Sequence, residues 1–391
     1  MSAKLKVIHS CTSLSFSGLE RYVLDLAGWQ RANGYDAELF CRKDSELERA
    51  ASLRGIPVWT IGARDRKGPL LWARMRGGWR RRLETAAESG VPLVLHMHAG
   101  GEPWFHLPWL LARPKVLVKT ILQYHLWINH RKRDPVHRLI FSRVDEVWSS
   151  SESSRAHLSA ILPVDREKMR VVPYGRDVRA LLEPAENAAP AEGARSELGL
   201  APDDLVGVCV SRIEPIKGIG ELFDAFAEIA PEHPRAKLLL VGDVSPGNAE
   251  AETFARALHE RHERLPWDVR GRFRFLGYRP RCEEIMTAAD FYVLPSYEEC
   301  MSLAMLDALI LGLPVLGTNS GGTPSVARPG ETGWLVPPRD RAALARALDG
   351  VFTALERDPR ALAPFSSAAR ALGSTFERET IFRRVWEMYD E

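Results

Sequence analysis

The sequence predicts an α/β protein built from two doubly wound domains. Three observations lead there. At 391 residues the chain is too long for one ordinary core. Continuous apolar, β-rich runs alternate with amphipathic helical stretches, which is the pattern of parallel sheets covered on both faces. The alternation also runs through twice, with a segment rich in Ala, Pro and Glu between the two passes.

In the first pass the strands are KVIHS (6–10), AELFC (37–41), VWTI (58–61), LVLHM (93–97), VLVKTILQY (116–124), EVWSS (146–150) and MRVVP (169–173). The helix after the first strand shows the expected period, with Leu19, Tyr22, Val23, Leu26 and Trp29 on one face. The stretch LLEPAENAAPAEGAR then reads as a linker at 183–195. The second pass gives LVGVCVS (205–211), KLLLVG (237–242), FRFLG (273–277), FYVLP (291–295), PVLGT (314–318) and GWLVP (333–337). Its first helix carries Ile219, Leu222, Phe223, Phe226 and Ile229 on one face. The chain closes on FERETIFRRVWEMYDE, an amphipathic helix with no strand after it. The predicted domains are 1–182 joined by the helix 375–391, and 196–374. Doubly wound sheets bind ligands at the carboxyl ends of their strands, so the cleft between the two sheets is the expected site.

Apolar content of 45% and charged content of 27% are those of a globular protein. Five scattered cysteines without a C-x-x-C pair argue against a disulfide framework or a cysteine zinc site, and fit a reducing cytosol. The start, MSAKLKVIHS, lacks the apolar run of a signal peptide, and no stretch approaches the roughly 20 apolar residues of a membrane span. The expectation is therefore a cytoplasmic protein. Net charge is only +2, yet eight Lys or Arg crowd Arg64–Arg82 and eight more crowd Arg113–Arg143. Trp72, Trp79, Trp104, Phe105, Trp109 and Trp127 lie in or beside these clusters. One reading is solvated helix faces with core aromatics. The other is a basic, aromatic surface over 64–82 and 104–143 that rests on anionic lipid at the inner face of the plasma membrane, or grips an anionic acceptor.

The chemistry is concentrated in the second half. In VCVSRIEPIKGIGELFDAF a strand runs into Arg212, then Lys217 and Gly218, then a helix. Two cations at a strand's carboxyl end beside a helix N-terminus form an anion site. In SYEECMSLAMLDALILGLPVLGT (296–318) Glu299 and Asp307 bracket the start of a short helix, apolar except for Asp307, capped by Ser302 and closed by Gly312 and Pro314. Carboxylates beside phosphate-binding groups suit hydroxyls, which donate to them. The ligand so described has a diphosphate in the middle and polyols on either side, as a nucleotide-activated sugar has. A buried carboxylate such as Asp307 also requires a partner.

These motifs resemble family 4 of the retaining, nucleotide-sugar-dependent glycosyltransferases, which have the GT-B fold of two facing Rossmann-like domains. E-CMSLAML-D followed by ALILGLPV resembles the family's acid, seven residues, acid, A-x-x-x-G-x-P-V. SRIEPIKG resembles G-R-x-x-x-x-K-G, SGLERYVLDLA the first-domain G-G-x-E loop, VVPYGRD (171–177) the inter-domain P-N-G-V-D, and ARPGETGWLVPPRD the segment x-G-x-T-G-x-L-V. The resemblance covers nearly the whole chain, including a last helix that returns to the first domain.

It implies roles, residue by residue. Arg212 and Lys217 would bind the donor diphosphate and stabilise charge on the leaving group. Glu299 would accept from a donor-sugar hydroxyl and Asp307 from the ribose. Met301, Ser302 and Leu303 would meet the sugar and distal phosphate through their backbone. Tyr278 and Arg279 would flank the base. His125 would face the donor sugar, while Gly18 and His98 would line the acceptor side. The pattern is departed from at Asp307, where the family has Glu, at Ser17 and Ser211 in place of Gly, and at Cys300, Ser302 and Ser325. The implied reaction is transfer of a hexose from a UDP- or GDP-sugar to a saccharide acceptor on a lipid carrier, in cell-envelope or exopolysaccharide synthesis. The departing phosphate oxygen would take the acceptor's proton, and VVPYGRD would serve as a hinge. No D-x-D occurs, so no catalytic metal is expected; beyond the nucleotide-sugar substrate no cofactor is expected, and no nucleic-acid partner. The rivals are a dinucleotide-binding oxidoreductase, disfavoured because no strand is followed by G-x-G-x-x-G, another GT-B enzyme such as a nucleotide-sugar epimerase, and a non-catalytic envelope-assembly partner.

Overall fold

The computed structural model describes residues 5–187, 190–245 and 247–391, with backbone alone over 184–187 and 190–192. Its strands are β1 (Lys6–Ser10), β2 (Asp36–Arg42), β3 (Val58–Ile61), β4 (Leu93–Met97), β5 (Leu117–Tyr124), β6 (Glu146–Ser149), β7 (Met169–Val171), β8 (Leu205–Val210), β9 (Ala236–Val241), β10 (Phe273–Gly277), β11 (Phe291–Leu294), β12 (Val315–Thr318) and β13 (Gly333–Val336). Every predicted strand is present. They form two parallel sheets, ordered β3-β2-β1-β4-β5-β6-β7 and β10-β9-β8-β11-β12-β13. In each, the first strand lies between its second and fourth, so the winding reverses beside it. That reversal opens a crevice at the carboxyl ends of β1 and β4, and of β8 and β11.

The chain divides into two compact units, Met1–Gly175 with Arg378–Glu391, and Arg176–Glu377. The final helix, Arg378–Asp390, thus belongs with the first sheet. There Lys119 Nζ donates to the Met388 carbonyl at 2.5 Å, Trp29 Nε1 donates to Glu379 at 2.6 Å, and Tyr35 stacks on Trp386 at 4.0 Å. The division falls earlier than the expected 182. Helices Val178–Asn187 and Pro190–Glu197 occupy most of the expected linker 183–195, and the first packs against the helix Leu303–Leu311 of the second unit. Ala and Glu favour helix, and read as linker composition they mislead. Residues 188–189 of that stretch lie outside the described residues.

Alternation along the strands sends two sets of side chains to opposite faces of the first sheet. Ile8, Leu95, Met97, Leu122 and Tyr124 join Leu71, Met75 and Trp79 of the helix Pro69–Ser89 in one core. The opposite face carries His9 and its register partner His96, covered by the helix Gly18–Ala32 and the final helix. In the second unit Phe226 meets Phe273 at 4.9 Å and Phe291 meets Phe352 at 5.4 Å, which closes the sheet against the helices Ile219–Ile229 and Arg341–Arg357.

Trp79 is fully buried, stacked on Trp109 at 5.3 Å and edge-on to Trp59 at 5.6 Å. Trp79→Ala should therefore cost about 3–5 kcal/mol. Urea unfolding followed by a probe in each unit should show that loss in the first unit's transition and leave the second unit's midpoint in place.

Candidate functional site

The crevice between β8 and β11 gathers the predicted cations and carboxylates. Past β8 the chain makes a single turn, Pro215–Lys217, and enters the helix Ile219–Ile229 through Gly218. Gly218 has φ +68°, and a Cβ there would stand 2.1 Å from the Pro295 carbonyl oxygen, so the loop after β11 lies directly against this turn. Two further bonds tie the loops together: the Tyr297 amide donates to the Ile216 carbonyl at 2.8 Å, and Ser296 Oγ donates to the same oxygen at 3.2 Å. On the other side Gly321, at φ +55°, sits where a Cβ would fall 1.8 Å from the Glu299 carbonyl oxygen. Held from both sides, Glu299 receives a hydrogen bond from Lys217 Nζ at 2.6 Å, and both side chains are largely buried. Arg212 bonds Glu214 at 2.8 Å and Ser245 Oγ at 3.0 Å.

The helix Leu303–Leu311 begins beside Glu299. Ser302 caps it by accepting from the Met305 amide at 3.3 Å, and Gly312 ends it at φ +83°. Its first-turn amides lack intrahelical acceptors by geometry, which makes this start an anion-facing surface. Met301 is buried, and Ser302 and Leu303 are half-buried. Tyr278 and Arg279 follow β10 at the sheet edge and are exposed, Tyr278 by 54%. The order β10-β9-β8-β11 thus sets Tyr278 and Arg279 at one end of a row and Arg212, Lys217 and Glu299 at the other.

Asp307 has its partner, and that partner is a protein group. Arg176 Nε and Nη2 donate to its two carboxylate oxygens at 2.5 and 2.9 Å. Arg176 stands in VVPYGRD where the resembled pattern has Val, so the signal was present in the sequence, although the pairing across 131 residues was not. The shorter acid and the arginine occur together.

In the first unit the loop before the helix Gly18–Ala32 is ordered by Ser17 and Glu20. Glu20 accepts from the Ser17 amide at 2.7 Å, and Gly18 itself is exposed. Buried Glu102 accepts from the Ser10 hydroxyl at 2.5 Å and from the Thr12 amide and hydroxyl at 2.9 and 2.7 Å, pinning the end of β1. His98 and His125 meet, with His98 Nδ1 3.1 Å from His125 Nε2. The other nitrogen of His125 lies 2.9 Å from Tyr174 OH, so both of its ring nitrogens are engaged. The sequence reading missed His9, whose Nδ1 lies 3.0 Å from His98 Nε2 and whose Nε2 donates to Gln30 at 2.7 Å. Burial keeps this group neutral: it lowers His9 to about 4 and His125 to about 3, and carries His96 and His98 well below the ordinary histidine value.

The basic clusters divide. Trp79 and Phe105 are core, Trp72 donates to the Trp104 carbonyl at 3.0 Å, and Trp127 stacks on His157 at 4.0 Å. Arg82 pairs with Glu38 and lies 4.0 Å over the Trp59 ring, and Arg80 pairs with Glu84 at 2.7 Å. Arg113 makes a bidentate pair with Asp145 at 2.7 and 2.8 Å. By contrast Leu111, Val136 and Leu139 are exposed on two touching helices, Leu107–Ala112 and Pro135–Phe141, beside exposed Arg133 and Arg138.

Fold and site together define a two-domain α/β protein of the GT-B type. A family model described as a glycosyl transferase 4-like domain matches residues 17–175, and the model for glycosyl transferases group 1 matches residues 204–353. The chain belongs to family 4 of the glycosyltransferases. A D-inositol 3-phosphate glycosyltransferase of Nocardia farcinica is 30% identical over 260 residues, covering 64% of this chain and 55% of that one. Another, from Jonesia denitrificans, is 25% identical over 354 residues, covering 82% and 79%. The chain spans about half the length of most of the curated relatives it matches, 48% for the Segniliparus rotundus protein for example. Among solved structures, HepE of Anabaena in complex with UDP and glucose superposes with a TM-score of 0.78 at 21% identity, covering 99% of this chain and 100% of that one. A glycosyltransferase of Rickettsia africae gives 0.83 at 18% identity, covering 99% and 98%. At these identities the two structures speak to the fold.

Asp307→Ala should destabilise the second unit by about 3–5 kcal/mol, because it removes both oxygens that receive the largely buried Arg176. Adding Arg176→Ala should recover part of that loss. Urea midpoints for the two single variants and the double variant measure the coupling, and additive losses would show that the pair contributes nothing.

Proposed function

We propose that this protein is a retaining glycosyltransferase that moves a hexose from a UDP- or GDP-sugar to a saccharide or polyol acceptor. The observation that carries this reading is the Lys217–Glu299 contact at the β8–β11 crevice, beside Arg212 and an open helix start. Lys217 and Arg212 would neutralise the diphosphate, and charge building on its leaving oxygen makes those contacts stronger in the transition state than in the ground state. Glu299 would exchange its lysine partner for a sugar hydroxyl. The amides at the start of Leu303–Leu311 would take a distal phosphate oxygen. Retention follows if the acceptor hydroxyl attacks from the face the diphosphate leaves, with the departing oxygen receiving the proton. Membership of the family supports the class of reaction.

Two acceptor classes have support. Relatives that are D-inositol 3-phosphate glycosyltransferases favour a phosphorylated cyclitol. The exposed Leu111, Val136 and Leu139 beside Arg133 and Arg138 favour an acceptor carried on lipid at an anionic surface. Among the described residues no helix is long and apolar enough to cross a membrane, so such contact would be peripheral.

Incubation with a panel of UDP- and GDP-sugars, each with inositol 3-phosphate and with a polyprenyl-diphosphate saccharide, should release nucleoside diphosphate with one donor and one acceptor. Lys217→Ala and Arg212→Ala should each lower kcat at least about 100-fold, as losing a preorganised charge at the leaving group does. Near-normal turnover in both variants would remove the diphosphate assignment.

If the acceptor is lipid-borne, the wild type should sediment with phosphatidylglycerol vesicles at low salt and release at high salt, since each basic residue near an anionic leaflet is worth about 1 kcal/mol. A variant with Leu139→Asp, Arg133→Glu and Arg138→Glu should stay in the supernatant while still hydrolysing donor. Equal partitioning of the two proteins would make this surface an ordinary solvated face.

A further inference from the structure

We propose that His9, His96 and His98 form a zinc site buried in the sheet of the first unit. The inference is independent of glycosyl transfer. His96 and His98 are two residues apart on and just past β4, and His9 is the register partner of His96 on β1, so alternation sends all three imidazoles to one face. All three are fully buried, and their candidate ligand nitrogens lie within 4.8 Å of one another.

The outer nitrogens carry the argument. A histidine on a metal directs its second nitrogen to an acceptor that fixes the ring. His9 Nε2 reaches Gln30 Oε1 at 2.7 Å, His96 Nδ1 reaches Tyr389 OH at 2.8 Å, and His98 Nδ1 reaches His125 Nε2 at 3.1 Å. With those three nitrogens protonated, His9 Nδ1, His96 Nε2 and His98 Nε2 turn lone pairs inward. His9 Nδ1 and His98 Nε2 lie 3.0 Å apart, so either a proton or a cation stands between them. A proton serves that pair only, and His96 Nε2 is buried with no close hydrogen-bond partner, the Gln123 amide being the polar group beside it. One cation serves all three. Ligand nitrogens around tetrahedral zinc stand about 3.3 Å apart, and here His9 Nδ1 and His98 Nε2 are 3.0 Å apart with the third nitrogen within 4.8 Å. Gln123, on the same face of β5, has its Oε1 buried without a partner and supplies a fourth donor. Three imidazole nitrogens with an amide oxygen, sealed from solvent, suit zinc and offer no open position for chemistry. The ion would cross-link β1 to β4 at the point where the first sheet's winding reverses, and through Gln30 and Tyr389 it would fix both covering helices.

The full chain, produced without a polyhistidine tag, should contain about one zinc per molecule by mass spectrometry of the metal. Refolded with Co(II), it should show the intense visible bands of a tetrahedral site. Chelation during unfolding should lower the first unit's midpoint. His96→Gln should abolish the cobalt bands, and since the wild-type spectrum needs no variant, a misfolded substitution does not blunt the test. Absence of both zinc and cobalt bands in the wild type, or metal retained in full by His96→Gln, would overturn the site. UDP binding, measured on the same samples, reports on the glycosyltransfer reading alone.

Discussion

Gly321 lies so close to the carbonyl of Glu299 that no Cβ fits between them, and the candidate site depends on that approach. The Gly322 amide donates to the same carbonyl at 2.7 Å, so the turn after β12 holds the loop after β11 by its backbone. Gly218 repeats the arrangement from the β8 side against Pro295. Between these two close contacts the side chain of Glu299 has little freedom, and Lys217 meets it at hydrogen-bonding distance. Main-chain packing at the carboxyl edge of the sheet therefore fixes the charges before any ligand arrives. Preorganised charge of this kind is where electrostatic catalysis gets its advantage over water, because nothing must reorient as the reaction proceeds.

The same crowding explains why the carboxylates are paired. Glu299, Asp307 and Glu214 are each largely removed from solvent, and each has a cation beside it: Lys217, Arg176 and Arg212. Isolated charges in such surroundings would be costly, and pairing reduces the cost. The pairs differ in what they permit. Lys217 touches Glu299 through one ammonium donor, a contact that under the proposed function would be exchanged for a phosphate oxygen. Arg176 grips both oxygens of Asp307 in the fork geometry that guanidinium and carboxylate share, which fixes orientation as well as charge. A ribose hydroxyl competing for Asp307 would have to replace two charge-assisted bonds with neutral ones. The arginine fork makes Asp307 a member of the protein's own scaffold to a degree that the acid-to-acid spacing could not reveal.

Much of the fold was legible because it is written in local periodicity. Each of the thirteen strands is a short apolar run between helical stretches, and each could be placed to within a residue or so at most ends. Arg212, Lys217 and Glu299 were legible for a related reason: they sit at strand ends, and strand ends converge in a doubly wound sheet. What escaped detection depended on register and on contacts far apart in the chain. The Arg176–Asp307 pair joins residues 131 apart, with β8 to β11 between them in the chain. His9 could be seen to end a strand, but only the parallel register of β1 on β4 places it opposite His96. The tryptophans of the first half misled in part, since Trp79 and Trp109 stack on each other inside the unit and the arginines near them have acidic partners. Composition counts charges and rings without saying which of them face each other.

The two sheets reverse their winding at equivalent places, and the contents of those places differ in a way that follows from charge. At the β8–β11 reversal the side chains are ionised and matched, cation to carboxylate, so an incoming anion finds partners that can be exchanged. At the β1–β4 reversal the side chains are imidazoles and amides, kept neutral by burial and threaded from Gln30 through His9, His98 and His125 to Tyr174. A neutral chain of this length has a direction. Without a metal ion among them, once Gln30 presents its oxygen to His9 each imidazole donates toward Gln30 and accepts from its other neighbour, with the Tyr174 hydroxyl as the last donor; a cation on His9, His96 and His98 would instead turn His98 and His125 to donate toward Tyr174. Reversing any one ring reverses all of them, which couples the end of β5 to the helix Gly18–Ala32 without a moving charge. His96 stands outside this sequence, its inner nitrogen without a close hydrogen-bond partner and with the Gln123 amide, whose oxygen is likewise unpartnered, beside it.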